Sequence, residues 1–447
     1  MERHIRRPMD EVHSSPEAMH ESIEKIIDLA LYKASDDEPI KIRFITPLSS
    51  AEWILDGEYC DYRLTTLDEH RNGMEYVTVS YCWQHEQSTQ GLPAVPSYTI
   101  IDPNKTLHEG PKPISCPPLV FHRAMQFARS RNCPYLWIDQ ECIDQKDSSD
   151  IEKHLKIMHR VYRESTWTVV PLSHVLTGNA SSNSLIRYLS DDFPELDPSW
   201  DIDYGHLVRH EDLSLSEKLL KAALMHMDIA AHVLEGMALD RWFKRTWTFQ
   251  EKHCASSLYF LVPIKPCHEG LAEATVNHIV GNDVCINLDR IESRFSKDHV
   301  QKMLAVDRAF KELTEFDGAN PMVERPLETV QKFFVSSYSV SGSDITSMTD
   351  AALLLEYCDN LVPADRLTIY GQVLQLPYRL NSRKLDSEEY DYSTCVIALM
   401  LGNFCNSHSE RWKLIWCMWM VEDEGMDSLL KCLAYVRVHL KDGYVIL

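Results

Sequence analysis

The sequence has 447 residues, of which 44% are hydrophobic and 25% charged, proportions typical of a globular protein with two or three domains. A formal net charge of −22 is repelled by nucleic acid and by anionic membranes, so we expect no nucleic-acid partner. The thirteen cysteines form no Cys-x-x-Cys pair and have no regular spacing. This pattern predicts reduced thiols in the cytoplasm, no disulfide frame and no metal site.

The sequence predicts neither a signal peptide nor a membrane-spanning helix. The residues that follow Met1 lack the apolar run of a signal peptide. The apolar runs at 395–401 and 414–421 are far shorter than the roughly 20 residues of a membrane-spanning helix. We therefore expect a cytoplasmic protein with no membrane span.

The chain begins with residues 1–37, which mix charges and prolines around one amphipathic stretch at 23–33. This composition predicts a mobile lead-in that contains a helix. Residues 40–45 then alternate apolar and charged side chains, as a half-buried strand does, and residues 62–65 are the expected hairpin partner.

Strand-like and helix-like segments alternate from Tyr76 to about residue 265, a pattern typical of a parallel sheet covered by helices. We assign residues 38–265 to this α/β domain, with an insertion at about 177–236. The strands are expected at 76–81, 135–138, 166–171 and 258–262, and the helices from Pro117, at 151–162 and at 239–254.

Beyond Pro266 the periodicity is almost entirely helical, which predicts a separate α-helical C-terminal domain over 266–447. One of its segments carries more large apolar residues than one helix face buries, so it is either an association surface or packed core. The expected helices are 300–316, 327–338, 351–357, 366–374, 394–403 and 426–440, and the apolar cluster is Trp412, Trp416, Met418, Trp419 and Met420.

Three blocks, at 76–83, 136–145 and 245–251, place polar or aromatic residues where an apolar run ends or on one helix face. Open α/β sheets bind ligands with residues placed at the carboxyl ends of their strands. The candidate binding residues are Ser80, Tyr81 and Trp83 of the first block, Asp139, Asp144 and Gln145 of the second, and Arg245 and Trp247 of the third, which ends at Glu251.

The three blocks, in this order, resemble the signature blocks of the fungal heterokaryon-incompatibility (HET) domain, and the stretch at 365–371 resembles the downstream region of that family. The resemblance implies a self/non-self recognition protein of fungal innate immunity whose activation leads to programmed cell death. Two positions depart from the family pattern. Gln84 replaces the glycine that usually follows Trp83, and Asp144 stands where asparagine is common, which argues against a strict catalytic role for Asp144.

Trp247 and Glu251 are four residues apart on a predicted helix, so they lie one turn from each other. Their spacing is similar to that in TIR domains, which are generally regarded as remote relatives of HET domains and whose glutamate cleaves NAD in the enzymatic members. The resemblance implies a TIR-like, doubly wound, mainly parallel sheet with Glu251 as the catalytic residue of NAD hydrolysis. NAD would be the substrate, and no cofactor is implied.

Cleavage of NAD needs few catalytic side chains because nicotinamide on ribose is already a cationic leaving group. One carboxylate at the ribose stabilises the sugar cation that forms, and in a dry site this electrostatic effect is large. Asp139 is the expected contact for a ribose hydroxyl. The basic residues in and beside the third block are suited to holding a pyrophosphate, or they form a solvated helix face; they are Arg241, Lys244, Arg245 and Lys252.

Each block also has a purely structural interpretation. Trp247 would then be core, Glu251 a helix-face carboxylate paired with a cation, and Asp144 and Asp147 candidate caps of the next helix. The matching alternative for function is a non-enzymatic signalling module that acts by association. Its partners would be further copies of the chain, in a homo-oligomer, or other incompatibility proteins.

Overall fold

A computed structural model describes residues 9–36, 38–48, 62–83, 94–103, 110–173, 176, 179–189, 213–264, 278–296, 300, 327, 329–330, 334, 355, 364–385 and 390–420. Several predictions fall outside these ranges: the loop at Gln84, most of the helices expected at 300–316, 327–338 and 351–357, and the helix expected at 426–440.

Within the described residues, ten strands form one mixed sheet and two more form a small second sheet. The strands are β1 (Leu31–Lys33), β2 (Ile45–Pro47), β3 (Tyr62–Leu64), β4 (Val77–Val79), β5 (Thr99–Ile101), β6 (Lys112–Pro113), β7 (Leu136–Trp137), β8 (Trp167–Pro171), β9 (Leu258–Pro263), β10 (Ile279–Val280), β11 (Asp283–Asn287) and β12 (Tyr378–Leu380). The large sheet has the order β10-β11-β9-β8-β4-β7-β2-β3-β5-β6, and β1 pairs with β12.

The four central strands of the large sheet run parallel in the order β7-β4-β8-β9. The first of them in the chain, β4, therefore lies between the second and the third. Strand order reverses at this point, and the carboxyl ends of the strands beside such a reversal are where open α/β sheets bind ligands. Val79 pairs with Val169 here, and the amide of Ser80 continues the ladder by donating to the Val169 carbonyl at 2.9 Å.

The helices are α1 (Met9–Val12), α2 (Pro16–Ala30), α3 (Pro118–Ser130), α4 (Asp139–Cys142), α5 (Ser148–Glu164), α6 (Asn179–Leu189), α7 (Leu213–Ala238), α8 (Thr246–Cys254), α9 (Leu288–Arg294), α10 (Asp365–Val373), α11 (Tyr392–Phe404) and α12 (His408–Met420). Of these, α3 follows β5 and β6 in the connection from β4 to β7, and α5 connects β7 to β8. The predicted insertion contains α6 and α7, which pack together, and their buried residues share a core with those of β8, β9 and β11.

The sheet extends beyond the predicted boundary at residue 265. Strands β10 and β11 form a hairpin that adds to β9 in antiparallel pairing. Gly281 occupies its turn with a φ of +59°, which glycine adopts without steric cost. Strand β10 has two residues, too few to show a period of two, and the surrounding sequence has mainly helical periodicity. The sequence therefore did not indicate the hairpin.

The predicted lead-in contains α2, and this helix packs against α11 and α12 near the other end of the chain. Ile23 and Ile26 of α2 share one buried core with Leu399 and Met418. In the C-terminal apolar cluster, Met418 is buried, whereas Trp416 is 41% exposed. The side chain of Met420 lies outside the described residues. The described part of the cluster therefore contributes both to this core and to the surface.

No helix in the described ranges has the length and apolar character needed to cross a membrane.

Candidate functional site

The centre of the site is Ser80, a buried residue that directly follows β4. Its hydroxyl donates a hydrogen bond to the Glu251 carboxylate of α8 and accepts one from the indole nitrogen of Trp242 at 2.6 Å. Trp242 is also buried. The serine hydroxyl thus lies between the carboxylate and the indole, and its hydrogen bond holds Glu251 at the carboxyl end of the central strand.

Trp242 is positioned by two side chains that fix the turn before α8. Asp240, itself buried, caps the turn by accepting from the Trp242 amide at 2.9 Å, and its other oxygen accepts from the amide and hydroxyl of Ser173, beyond β8, at 2.7 and 2.6 Å. Thr248 of α8 donates to the carbonyls of Trp242 and Arg245 at 2.5 and 2.7 Å. The turn is therefore fastened both to the sheet and to the helix that carries Glu251.

Glu251 is half-buried and its environment disfavours the charged form. Burial raises the pKa of its carboxyl to about 7, whereas the hydrogen bond from Ser80 and the positive charge of Arg245 act in the opposite direction. The negative charge of Asp139 raises this pKa further, and the Tyr162 hydroxyl also hydrogen-bonds to the carboxylate. A carboxyl that titrates near neutral pH at a strand end is a frequent mark of a functional site.

Asp139 begins α4, just after β7. Burial raises the pKa of its carboxyl to about 6, opposed first by a hydrogen bond from the Trp83 indole nitrogen at 2.7 Å. The Gln140 amide donates to the other carboxylate oxygen at 2.7 Å. The Tyr81 hydroxyl donates to the Gln140 side-chain oxygen at 2.5 Å. The ends of β4 and β7 are thus joined through side chains of the first two sequence blocks.

Arg245 supplies the positive charge between these carboxylates. It precedes α8 directly and donates to the Tyr81 carbonyl at 2.9 Å, and its charge lowers the pKa of both Glu251 and Asp139. The structure therefore places Ser80, Tyr81, Trp83, Asp139, Arg245 and Glu251 together. Two carboxyls that titrate close to neutrality beside one fixed guanidinium are suited to binding a polar ligand that carries both hydroxyl groups and a cationic centre.

Trp247 does not join this group. Its indole nitrogen donates to the Asp365 carboxylate of α10 at 3.2 Å, and its ring packs against the core formed by α2, α10, α11 and α12. Trp247 and Glu251 lie one turn apart on α8, yet they contact different neighbours. The position of Trp247 agrees with the structural interpretation of this tryptophan as core.

Asp144 and Gln145 lie at the margin of the site, and both are exposed. Asp144 accepts from the Lys146 amide at 3.0 Å within a turn, and Gln145 donates to the Asp139 carbonyl at 3.0 Å. The two side chains line a separate cavity of about 210 Å³ together with Arg43, Lys112 and Glu141. The cap of α5 is Asp147, which accepts from the Ser149 amide at 2.9 Å.

Sequence reasoning missed the roles of Trp242, Asp240 and Tyr162. Asp240 stands two residues before Trp242, a capping spacing that was readable in the sequence, but its second partner, Ser173, is remote in the chain. Tyr162 lies at a helical step of α5, and helical spacing alone did not indicate its contact with Glu251. Of the other basic residues beside the third block, Arg241 and Lys244 are exposed, and the charge of Lys252 lies near Glu292 of α9.

The fold and the site together define an α/β protein with a polar site at the carboxyl ends of parallel strands. Residues 76–251 match the family model described as Heterokaryon incompatibility protein (HET). These residues therefore form a HET domain, which confirms the resemblance carried by the three sequence blocks. The matched range starts at Tyr76 and ends at Glu251, so it contains every residue of the site. Comparisons with curated proteins and with solved structures gave no match.

Proposed function

We propose that this HET domain hydrolyses NAD at the bond between nicotinamide and ribose, and that this reaction promotes cell death in self/non-self recognition. The family match supports a heterokaryon-incompatibility function for the chain. The chemical part of the proposal depends on one observation: Glu251, half-buried, accepts a hydrogen bond from Ser80 where the strand order of the parallel sheet reverses.

The overall reaction consumes water and NAD and yields nicotinamide, ADP-ribose and a proton. The C–N bond breaks with its electron pair leaving on the pyridine ring, which turns from a cation into neutral nicotinamide. The ribose becomes an oxocarbenium-like cation, to which water adds before losing its proton. In its ionised form Glu251 stabilises that cation, and because bound NAD brings a positive ring close to the carboxylate, the substrate itself favours this form.

The other residues have roles in binding. Asp139 accepts from a ribose hydroxyl, and Trp83, which is 40% exposed beside it, offers a ring face on which a base stacks. Arg245 holds an oxygen of the pyrophosphate by a charge-assisted hydrogen bond. Ser80 and Trp242 keep Glu251 in place without contacting the scissile bond.

A TIR-like fold is part of the proposal. The parallel strands have the order second, first, third, fourth, which is that of flavodoxin-like doubly wound sheets. Helices α10 to α12, with α2, are proposed to act as a C-terminal regulatory unit that associates with further copies of the chain or with incompatibility partners in the cytoplasm.

One observation favours the second candidate function, association without catalysis. Gln250 of α8 donates to the Gln372 side chain of α10 at 2.6 Å, and Gln372 in turn donates to the Leu155 carbonyl of α5 at 2.6 Å. The helix that carries Glu251 is therefore built into the contact between the α/β domain and the C-terminal helices. A signalling surface that depends on this contact needs no chemistry at Glu251.

The decisive experiment incubates the purified full-length protein with NAD and measures free nicotinamide by chromatography. We expect release by the wild type, no release by Glu251→Gln and unchanged release by Glu21→Gln, a matched substitution of an exposed glutamate on α2. Overexpression of the same variants in a fungal host tests toxicity. If Glu251→Gln retains full toxicity, the enzymatic proposal is wrong and association without catalysis is favoured.

A further inference from the structure

We propose that His20, Glu24 and His408 form a binding site for a divalent transition-metal ion, with zinc as its natural occupant, which joins helix α2 to helix α12. One ligand atom from each of the three side chains lies within 4.8 Å of the other two. His20 and Glu24 are four residues apart on α2, and His408 begins α12. The imidazole rings of the two histidines meet edge to face with their centroids 4.3 Å apart.

His20 is the strongest evidence for a ligand. Its side chain is buried, with 9% of the residue exposed, and its Nε2 atom has no hydrogen-bond partner. Nε2 lies 3.5 Å from the nearer oxygen of Glu24, too far for a well-formed hydrogen bond. A buried nitrogen without a partner costs stability, and a metal ion placed between Nε2 and this oxygen removes that cost.

The spacing suits tetrahedral zinc. Zinc bonds of about 2.0 to 2.1 Å separate neighbouring ligand atoms by roughly 3.3 Å in a tetrahedron. The distance between His20 Nε2 and the nearer Glu24 oxygen already has nearly this value, and a ligand atom of His408 lies within 4.8 Å of a ligand atom of each of the other two residues. Two imidazole nitrogens and one carboxylate oxygen favour zinc over magnesium or calcium, which prefer oxygen ligands alone. Water completes the fourth position.

Arg411 orients the carboxylate of the site. Its guanidinium forms a two-point contact with Glu24, Nε to one oxygen at 2.6 Å and Nη2 to the other at 2.7 Å. Each carboxylate oxygen has two lone pairs, so the oxygen nearer His20 can bind a metal while both hydrogen bonds from Arg411 remain. A carboxylate ligand held in this way by an outer partner is usual in metal sites.

The absence of a metal site was predicted from cysteine spacing alone, without regard to the histidines. His20 and His408 come from opposite ends of the chain, so their proximity was not readable in the sequence.

The test titrates zinc into the metal-free, full-length protein and follows binding by calorimetry and the melting temperature by fluorescence. We expect zinc to bind at a micromolar or lower Kd and to raise the melting temperature, because it binds only the form in which α2 and α12 are packed together. His408→Ala, an exposed substitution, should weaken this binding at least tenfold and abolish the rise. Magnesium should produce neither effect.

His232→Ala is the matched control, because His232 is an exposed histidine that pairs with a carboxylate four residues earlier, Asp228, as His20 pairs with Glu24 four residues later. This variant should behave like the wild type. Glu24→Gln should weaken zinc binding while keeping one hydrogen bond to Arg411. The proposal is overturned if the wild type lacks a saturable zinc site at micromolar zinc, or if His408→Ala retains both the affinity and the thermal shift. Neither readout depends on NAD cleavage.

Discussion

Replacing Glu251 with glutamine should stabilise the protein at alkaline pH, even though it removes the proposed catalytic group. The wild-type carboxyl has a pKa of about 7 in the folded state, against an ordinary value of 4.5. Between these two values the folded state binds more protons than the unfolded chain, so the free energy of unfolding falls as pH rises through this window. The difference between these two pKa values lowers the free energy of unfolding by roughly 3 kcal/mol once the pH is above 7.

The expected effect is smaller than this limit because Glu251 is half-buried and its glutamine replacement changes the hydrogen bonds with Ser80 and Tyr162. We expect Glu251→Gln to be more stable than the wild type by about 1 to 3 kcal/mol at pH 8.5 and nearly equal to it at pH 4.5. Glutamine has almost the same shape as glutamate, so packing at the site should be conserved.

Urea unfolding curves of both proteins at pH 4.5, 6, 7 and 8.5 measure this difference. Glu21→Gln, the exposed control, should show no comparable pH-dependent gain. If the stability difference between Glu251→Gln and the wild type is the same at pH 4.5 and pH 8.5, the carboxyl is not destabilised by its surroundings and the argument from burial fails. Nicotinamide release, measured on the same samples, separates this result from the catalytic proposal.

Two further perturbations test other parts of the structure. Trp242→Phe keeps most of the buried ring but removes the indole donor to Ser80. We therefore expect nicotinamide release to fall about tenfold and the free energy of unfolding to fall by about 1 to 2 kcal/mol. If this variant releases nicotinamide at the wild-type rate, Trp242 does not position Glu251. Deletion of residues 405–447 removes the buried Ile415 and Met418, which pack with α2, so we expect loss of the cooperative melting transition. If light scattering shows a folded truncated protein with its activity and oligomeric state unchanged, these residues are not part of the core.

The sequence predicted the parallel strands well because their signal is local. The strands that contain Val77, Leu136, Val169 and Phe260 are short apolar runs followed by polar residues, and runs of this kind specify two-sided burial whatever lies elsewhere in the chain. The same reasoning brought Ser80, Asp139, Arg245 and Glu251 to one edge of the sheet, since each stands at or beside the end of such a run or on the helix that follows.

The remaining features depend on contacts between distant parts of the chain. Helical spacing shows that Trp247 and Glu251 lie one turn apart, but not that α10 supplies Asp365 to one while β4 supplies Ser80 to the other. Nor does periodicity show that α2 joins the C-terminal helices in one core. Pairings of this kind are set by tertiary packing, which a pattern along a single segment does not specify.

Helix α8 is the element that connects the site with the rest of the molecule. Trp247 and Phe249 pack into the core built by α2 and the C-terminal helices, whereas Cys254, at the end of the same helix, belongs to the core of the α/β domain. Glu251 lies between these two attachments. Helix α8 has nine residues and contains no proline or glycine at which it could kink, so a shift of the C-terminal core would move it as a unit. The Ser80 contact and the burial that raises the pKa of Glu251 would then change together. The geometry of the site in the HET domain therefore depends on residues outside the matched range of 76–251.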